Sequence, residues 1–171
     1  MSSSNPSQEA FEAAKRSFRD TLNDPALFKD ILAASSVDHV WDMANKLQET
    51  QRPRSLRHMG KIMLFVERVN SYAGVIETFV QVQPDLLALI WGPIKLLILW
   101  SSQLAASLDA LTKAMTNIGE ALPHFAEVAT IFGDKDVIKN LLALFYGDIL
   151  HFYAVAMKFF KLTCMFCGLQ E

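Results

Sequence analysis

The residue types that could do chemistry are few and widely spaced. Cys164 and Cys167 form a CMFC string close to the C-terminus. A structural zinc site needs about four ligands, and no second CxxC or histidine pair accompanies this one. A thioredoxin-type motif should open a helix after a strand, whereas CMFC follows a long helical pattern. The ordinary reading is two thiols near a frayed helix end. His39, His58, His124 and His151 stand far apart in sequence. His151 lies near Asp148, beside the apolar seam of the last predicted helix, and reads as a partnered or surface histidine. Glu67 and Glu77 are too distant along their helix to act as paired carboxylates, and no ExxH suggests a di-iron site. GxxxxGK[ST], GxGxxG, HExxH and GxSxG are all missing from the sequence. Nothing here forms a catalytic constellation, so the expectation is a protein that is not an enzyme and uses no cofactor or metal.

Composition bounds the rest. A chain of 171 residues makes one domain, able to bury about 70% of its unfolded surface. It is 51% apolar and 20% charged, which describes a globular chain rather than a disordered one. A net charge of −2 argues against a nucleic-acid partner, which normally meets a basic stripe. Arg52, Arg54, Arg57 and Lys61 cluster, and fit a solvated helix start better than a phosphate site. The start, MSSSNPSQEAFEAAKRS, has no apolar core of a signal peptide and is too acidic for a transit peptide. Ser2 excludes myristoylation, and the cysteine in Cys-Gly-Leu-Gln-Glu comes one residue too early for prenylation. Without a disulfide framework, a reducing compartment is the natural home.

These side chains would be carried by helices. The pattern predicts an all-α, multi-helix bundle with three long helices at about 53–82, 84–122 and 135–162, plus shorter N-terminal helices. Residues 1–6 read as a disordered start, 7–163 as one helical domain and 164–171 as a tail. A first helix is expected at 7–22, with Phe11, Ala14, Phe18 and Leu22 on one face. That face packs on the bundle, or detaches and lies in a membrane interface or against another copy. Asn23-Asp24-Pro25 ends it, and Asp24 can cap a short helix over 26–33. Ser35-Ser36 can cap a third at 37–51, and Pro53 suits the first turn of a fourth.

The centre of the pattern is 84–122. From Leu86 to Trp100 it is apolar all round, interrupted only by Gly92-Pro93 and Lys95, so it must be enclosed by protein or by a membrane. Its polar interruptions favour a buried helix over a membrane span. Pro93 should kink it. From Leu104 the apolar residues thin to a stripe through Leu108, Leu111, Met115, Ile118 and Leu122. Pro123 then starts a short helix at 124–132. In the last helix Ile138, Leu142, Phe145, Ile149, Phe152, Ala156 and Phe159 form the expected core face.

Three blocks carry a resemblance: SVDHVWDMANKLQ at 36–48, FVERVNSYAGVIETFVQVQPDLLALIWGPIKLLIL at 65–99, and LFYGDILHFYAVAMKFF at 144–160. Together they resemble the helical N-terminal domain of fungal STAND proteins, NLR-like receptors in which this domain precedes a NACHT-type NTPase and repeats. The most specific string is P-D-x-x-A-L-x-W-G-x-I-K, which here includes Pro84, Asp85, Trp91, Gly92 and Lys95, with Pro93 inside it. The resemblance covers about 10–162 and brings no catalytic residues. It implies a cytoplasmic signalling or effector module that acts by self-association, with membrane engagement in regulated cell death as a second expectation. A non-toxic adaptor that docks on a parent NTPase domain is the alternative, and an apolar-ligand-binding bundle is a more distant one. The chain is then an excised domain or a stand-alone paralogue.

Overall fold

The computed structural model describes residues 6–33, 36–50, 53–79, 84–101, 108–132 and 135–167. Seven helices account for nearly all of them: α1 (Pro6–Leu22), α2 (Pro25–Leu32), α3 (Val37–Thr50), α4 (Pro53–Phe79), α5 (Pro84–Ser101), α6 (Leu108–Phe132) and α7 (Asp136–Cys167). Among the described residues there is no strand, and the protein is an all-α bundle.

The N-terminal boundaries follow from local chemistry. Asn23 closes α1 in the left-handed conformation, φ 48°, which asparagine tolerates better than most residues, and its N–H donates to the Arg19 carbonyl at 3.0 Å. Asp24 caps α2 by accepting the Leu27 N–H at 3.0 Å. Its carboxylate also takes the Lys161 ammonium from the far end of α7, so the α1–α2 corner is clipped to the last helix. The backbone N–H of Leu27, and next Lys161, hold the Asp24 pKa below its ordinary value.

The expected 84–122 helix is described in two parts, α5 and α6, and 102–107 between them lie outside the described residues. α5 is enclosed by α2, α3 and α7, whereas α6 packs along α4. The two neighbourhoods match the sequence, which is apolar all round in α5 and thins to a stripe along α6. Pro93 sits inside α5 rather than ending it. Pro123 does not open a separate helix either, because α6 passes through it to Phe132. Pro123 is exposed, so water can serve the carbonyl that its missing N–H leaves free.

The buried face of α7 is turned relative to the expected one. Leu142, Ile149 and Ala156 are buried as expected and Ile138, Phe145 and Phe152 pack against the core, but Tyr146, Tyr153, Met157 and Phe160 take the centre while Phe159 is 51% exposed. Tyr146 donates its hydroxyl to the Leu86 carbonyl at 2.9 Å, and Tyr72 on α4 donates to the Leu142 carbonyl at 2.7 Å. These bonds make burial of the two phenols affordable. The Tyr153 hydroxyl is fully buried and finds no partner among the described residues. Burial pushes all three phenol pKa values far up, so the hydroxyls stay neutral. α7 also runs to Cys167, which puts Cys164 and Cys167 in its last turn.

Candidate functional site

The residues carrying the family-like string form a platform inside the bundle. Asp85, in the first turn of α5, accepts the Lys15 ammonium from α1 at 2.8 Å. Trp91 is 3% exposed and packs in the core. Gly92 lies directly under α2: a Cβ there would stand 2.4 Å from the Ile31 carbonyl oxygen. Only glycine allows two backbones to approach this closely. Pro93 is buried and Lys95 half-buried. Pro84 opens the helix at its first position, as proline's fixed φ allows. The string therefore positions α1, α2 and α7 around α5, and brings no polar cluster together.

The α1 face is also occupied. Phe11, Phe18 and Leu22 are 1%, 2% and 7% exposed. Phe11 meets Tyr146 edge-on at 5.2 Å between ring centres, and Phe18 tilts against Phe28 at 6.2 Å. The helix lies chiefly on α7, with Ala14 over Gly147. In this conformation the face offers nothing to a membrane or to another copy.

Asp148 and His151 share one face of α7, but the described histidines and carboxylates gather into no larger cluster. Among the described residues no group of three or more His, Cys, Asp or Glu side chains could hold a metal ion. His39, His124 and His151 are exposed. The His58 side chain, and those of Arg52, Arg54, Arg57, Glu77, Cys164 and Cys167, lie outside what is described. The groove between α1 and α7, about 420 Å³, is lined largely by alanine, leucine and serine side chains, with Asp148 and His151 at its edge.

What the sequence pattern missed is the outward side of α7. Val137 (68% exposed), Leu144 (66%), Val155 (53%) and Phe159 stand in solvent with Leu141. They lie three to four residues apart or at multiples of that spacing, so they form one stripe, opposite the Tyr146–Tyr153–Phe160 face. At 1.5 Å per residue it runs for about 33 Å. Near its N-terminal end, Leu141 also lines a wholly apolar groove of about 180 Å³ with His124 and Val128 of α6. Single exposed leucines need no explanation, but an aligned row of large apolar side chains marks a surface that something covers. The 136–161 stretch is also long and apolar enough to cross a membrane, by length and composition alone, although half of its most apolar window is buried in the bundle.

The model of a domain of unknown function, DUF7708, matches residues 61–165. The chain belongs to the DUF7708 family. The DUF7708 match runs from α4 through α7, so it includes the α5 platform and the exposed α7 stripe. It leaves α1, α2 and α3 outside. No curated protein and no solved structure matches the chain.

Proposed function

We propose that this DUF7708 protein is a non-enzymatic helical interaction module whose outward α7 face makes its working contact with another protein. In the reading that the STAND-like blocks favour, it is the signalling or effector module of a fungal NLR-like receptor, acting in the cytoplasm in immunity or incompatibility. Self-association would pass the signal on, and recruitment to a membrane would accompany cell death. The observation that carries the proposal is the row of exposed Val137, Leu141, Leu144, Val155 and Phe159, set on a helix whose other faces are already used. The burial of Phe11, Phe18 and Leu22 supports α1 as a structural element of the bundle and moves the interaction surface from α1 to α7. A non-toxic adaptor docking on a parent NTPase domain would use the same α7 surface.

The test is induced expression of the tagged chain in a fungal cell, scoring viability and localisation together, beside a Leu144→Glu variant. Leu144 is largely in solvent, so its replacement should leave the bundle folded. Death or clustered signal in the wild type, lost in Leu144→Glu, is the expected outcome. Healthy cells with the same diffuse signal for both would overturn the effector reading. The adaptor would then be sought through binding that Leu144→Glu abolishes.

A further inference from the structure

We infer that the covering partner of the α7 stripe is a second copy of the same chain, laid antiparallel along it. This inference rests on the α7 face being the interaction surface. It adds the identity of the partner and its register.

Apart from Phe159, the outward face of α7 follows a seven-residue repeat. Val137, Leu144, His151 and Lys158 occupy one position of the repeat, and Leu141, Asp148 and Val155 the other. Apolar residues at such positions suit two helices packed side by side, and here Asp148, His151 and Lys158 break the apolar seam in its C-terminal half. Let a twofold axis pass across α7 between Ile149 and Leu150, with the second helix running the opposite way. Leu144 then faces Val155 of the other copy, Asp148 faces its His151, and Leu141 faces the alkyl stem of its Lys158. By symmetry each contact occurs twice, as a twofold interface requires.

Charge decides between occupants. Asp148 interrupts the apolar row, and both it and His151 are exposed. Against a lipid surface, a carboxylate in the middle of the inserted face would be costly. A parallel pair would set Asp148 against Asp148. The antiparallel register instead sets each Asp148 carboxylate opposite the other copy's His151, so that two acid–imidazole pairs form across the seam beside the Asp148–His151 neighbours already present on each helix. Such polar pairs within an apolar seam fix register and orientation more than they add affinity.

Sedimentation equilibrium of the purified full chain over a range of concentrations tests this, with thermal unfolding as a check on folding. The expected result is a mass that rises from one chain toward two. Leu144→Glu should weaken the association by about tenfold or more, as for loss of a central contact, while leaving the unfolding temperature unchanged at concentrations where the wild type is a single chain. Asp148→His and His151→Asp should each weaken it, and the double swap Asp148→His/His151→Asp should restore it. A double swap no better than the single changes overturns the antiparallel register. A chain that stays monomeric, while Leu144→Glu still abolishes signalling in cells, overturns the second copy and leaves the α7 surface with a different protein partner. A monomer that binds vesicles of anionic phospholipid through Leu144 overturns it in favour of a membrane.

Discussion

Gly92→Ala is the sharpest test of the architecture. The added methyl carbon would lie 2.4 Å from the Ile31 carbonyl oxygen, 2.9 Å from its carbonyl carbon and 2.8 Å from its Cγ2. Two of these are backbone atoms, so no rotamer change relieves the clash. Ordinary contact begins at about 3.5 Å, and α2 would have to retreat by about 1 Å. That retreat strips contacts from Ile31, which is completely buried. Overpacking of this kind costs about 1–3 kcal/mol, and the immovable backbone places it at the upper end. Alanine's better helix propensity returns about 1 kcal/mol, leaving a net loss of about 2 kcal/mol. In a domain of this size that lowers the unfolding temperature by about 4–8 °C. Gly74→Ala is the control, because Gly74 is exposed on α4 and nothing lies within 4 Å of an added Cβ. It should gain about 0.5–1 kcal/mol and unfold about 1–4 °C higher. Thermal scans by circular dichroism read both. If Gly92→Ala stabilises as Gly74→Ala does, α2 does not cross α5 at Gly92.

Other substitutions probe different parts of the bundle. Tyr72→Phe removes the bond to the Leu142 carbonyl and should cost about 1 kcal/mol in denaturant titration, whereas Tyr153→Phe removes an unpartnered buried hydroxyl and should be neutral or stabilising. Phe11→Ala should cost about 3–5 kcal/mol, since Phe11 is 1% exposed. Equilibrium unfolding with an unchanged midpoint would show that α1 is not part of the core. Asp24 has a folded pKa below its ordinary 3.8, so its stabilising effect is full above the unfolded value and is lost as pH falls through the folded one. Asp24→Asn keeps an N-cap oxygen but not the charge, and its unfolding temperature should fall less than the wild type's as the pH is lowered below about 4.

Much of the fold was legible because its signals are local. Asn23-Asp24-Pro25 and Pro53 place helix ends through φ restrictions and caps that need no tertiary partner, and Phe11, Phe18 and Leu22 fall on one face at helical spacing. What failed depends on distant partners. Pro123 reads as a helix start, yet α6 runs through it along α4. The turned core face of α7 depends on carbonyls at Leu86 and Leu142 that accept phenol bonds, which periodicity cannot show. Gly92 read as a kink beside Pro93, whereas its reason is a helix crossing some 60 residues away in sequence. The α7 stripe was hidden because a helix apolar on most faces gives no contrast by which to tell the enclosed side from the open one.

The Phe11–Tyr146 contact joins the first helix to the last, across more than 130 residues. During synthesis, α1 leaves the ribosome long before α7 exists, at about 5–20 residues per second. For that interval Phe18 can meet Phe28 of α2, but Phe11 lacks the Tyr146 ring it packs on. Among the seven helices α1 thus waits longest for its main partner, and its uncovered Phe11 lies in a segment that a chaperone holding apolar stretches would bind in that interval. Closure of so distant a pair is also the slow, late kind of contact formation. The docking of α1 on α7 thereby comes late in the assembly of these seven helices.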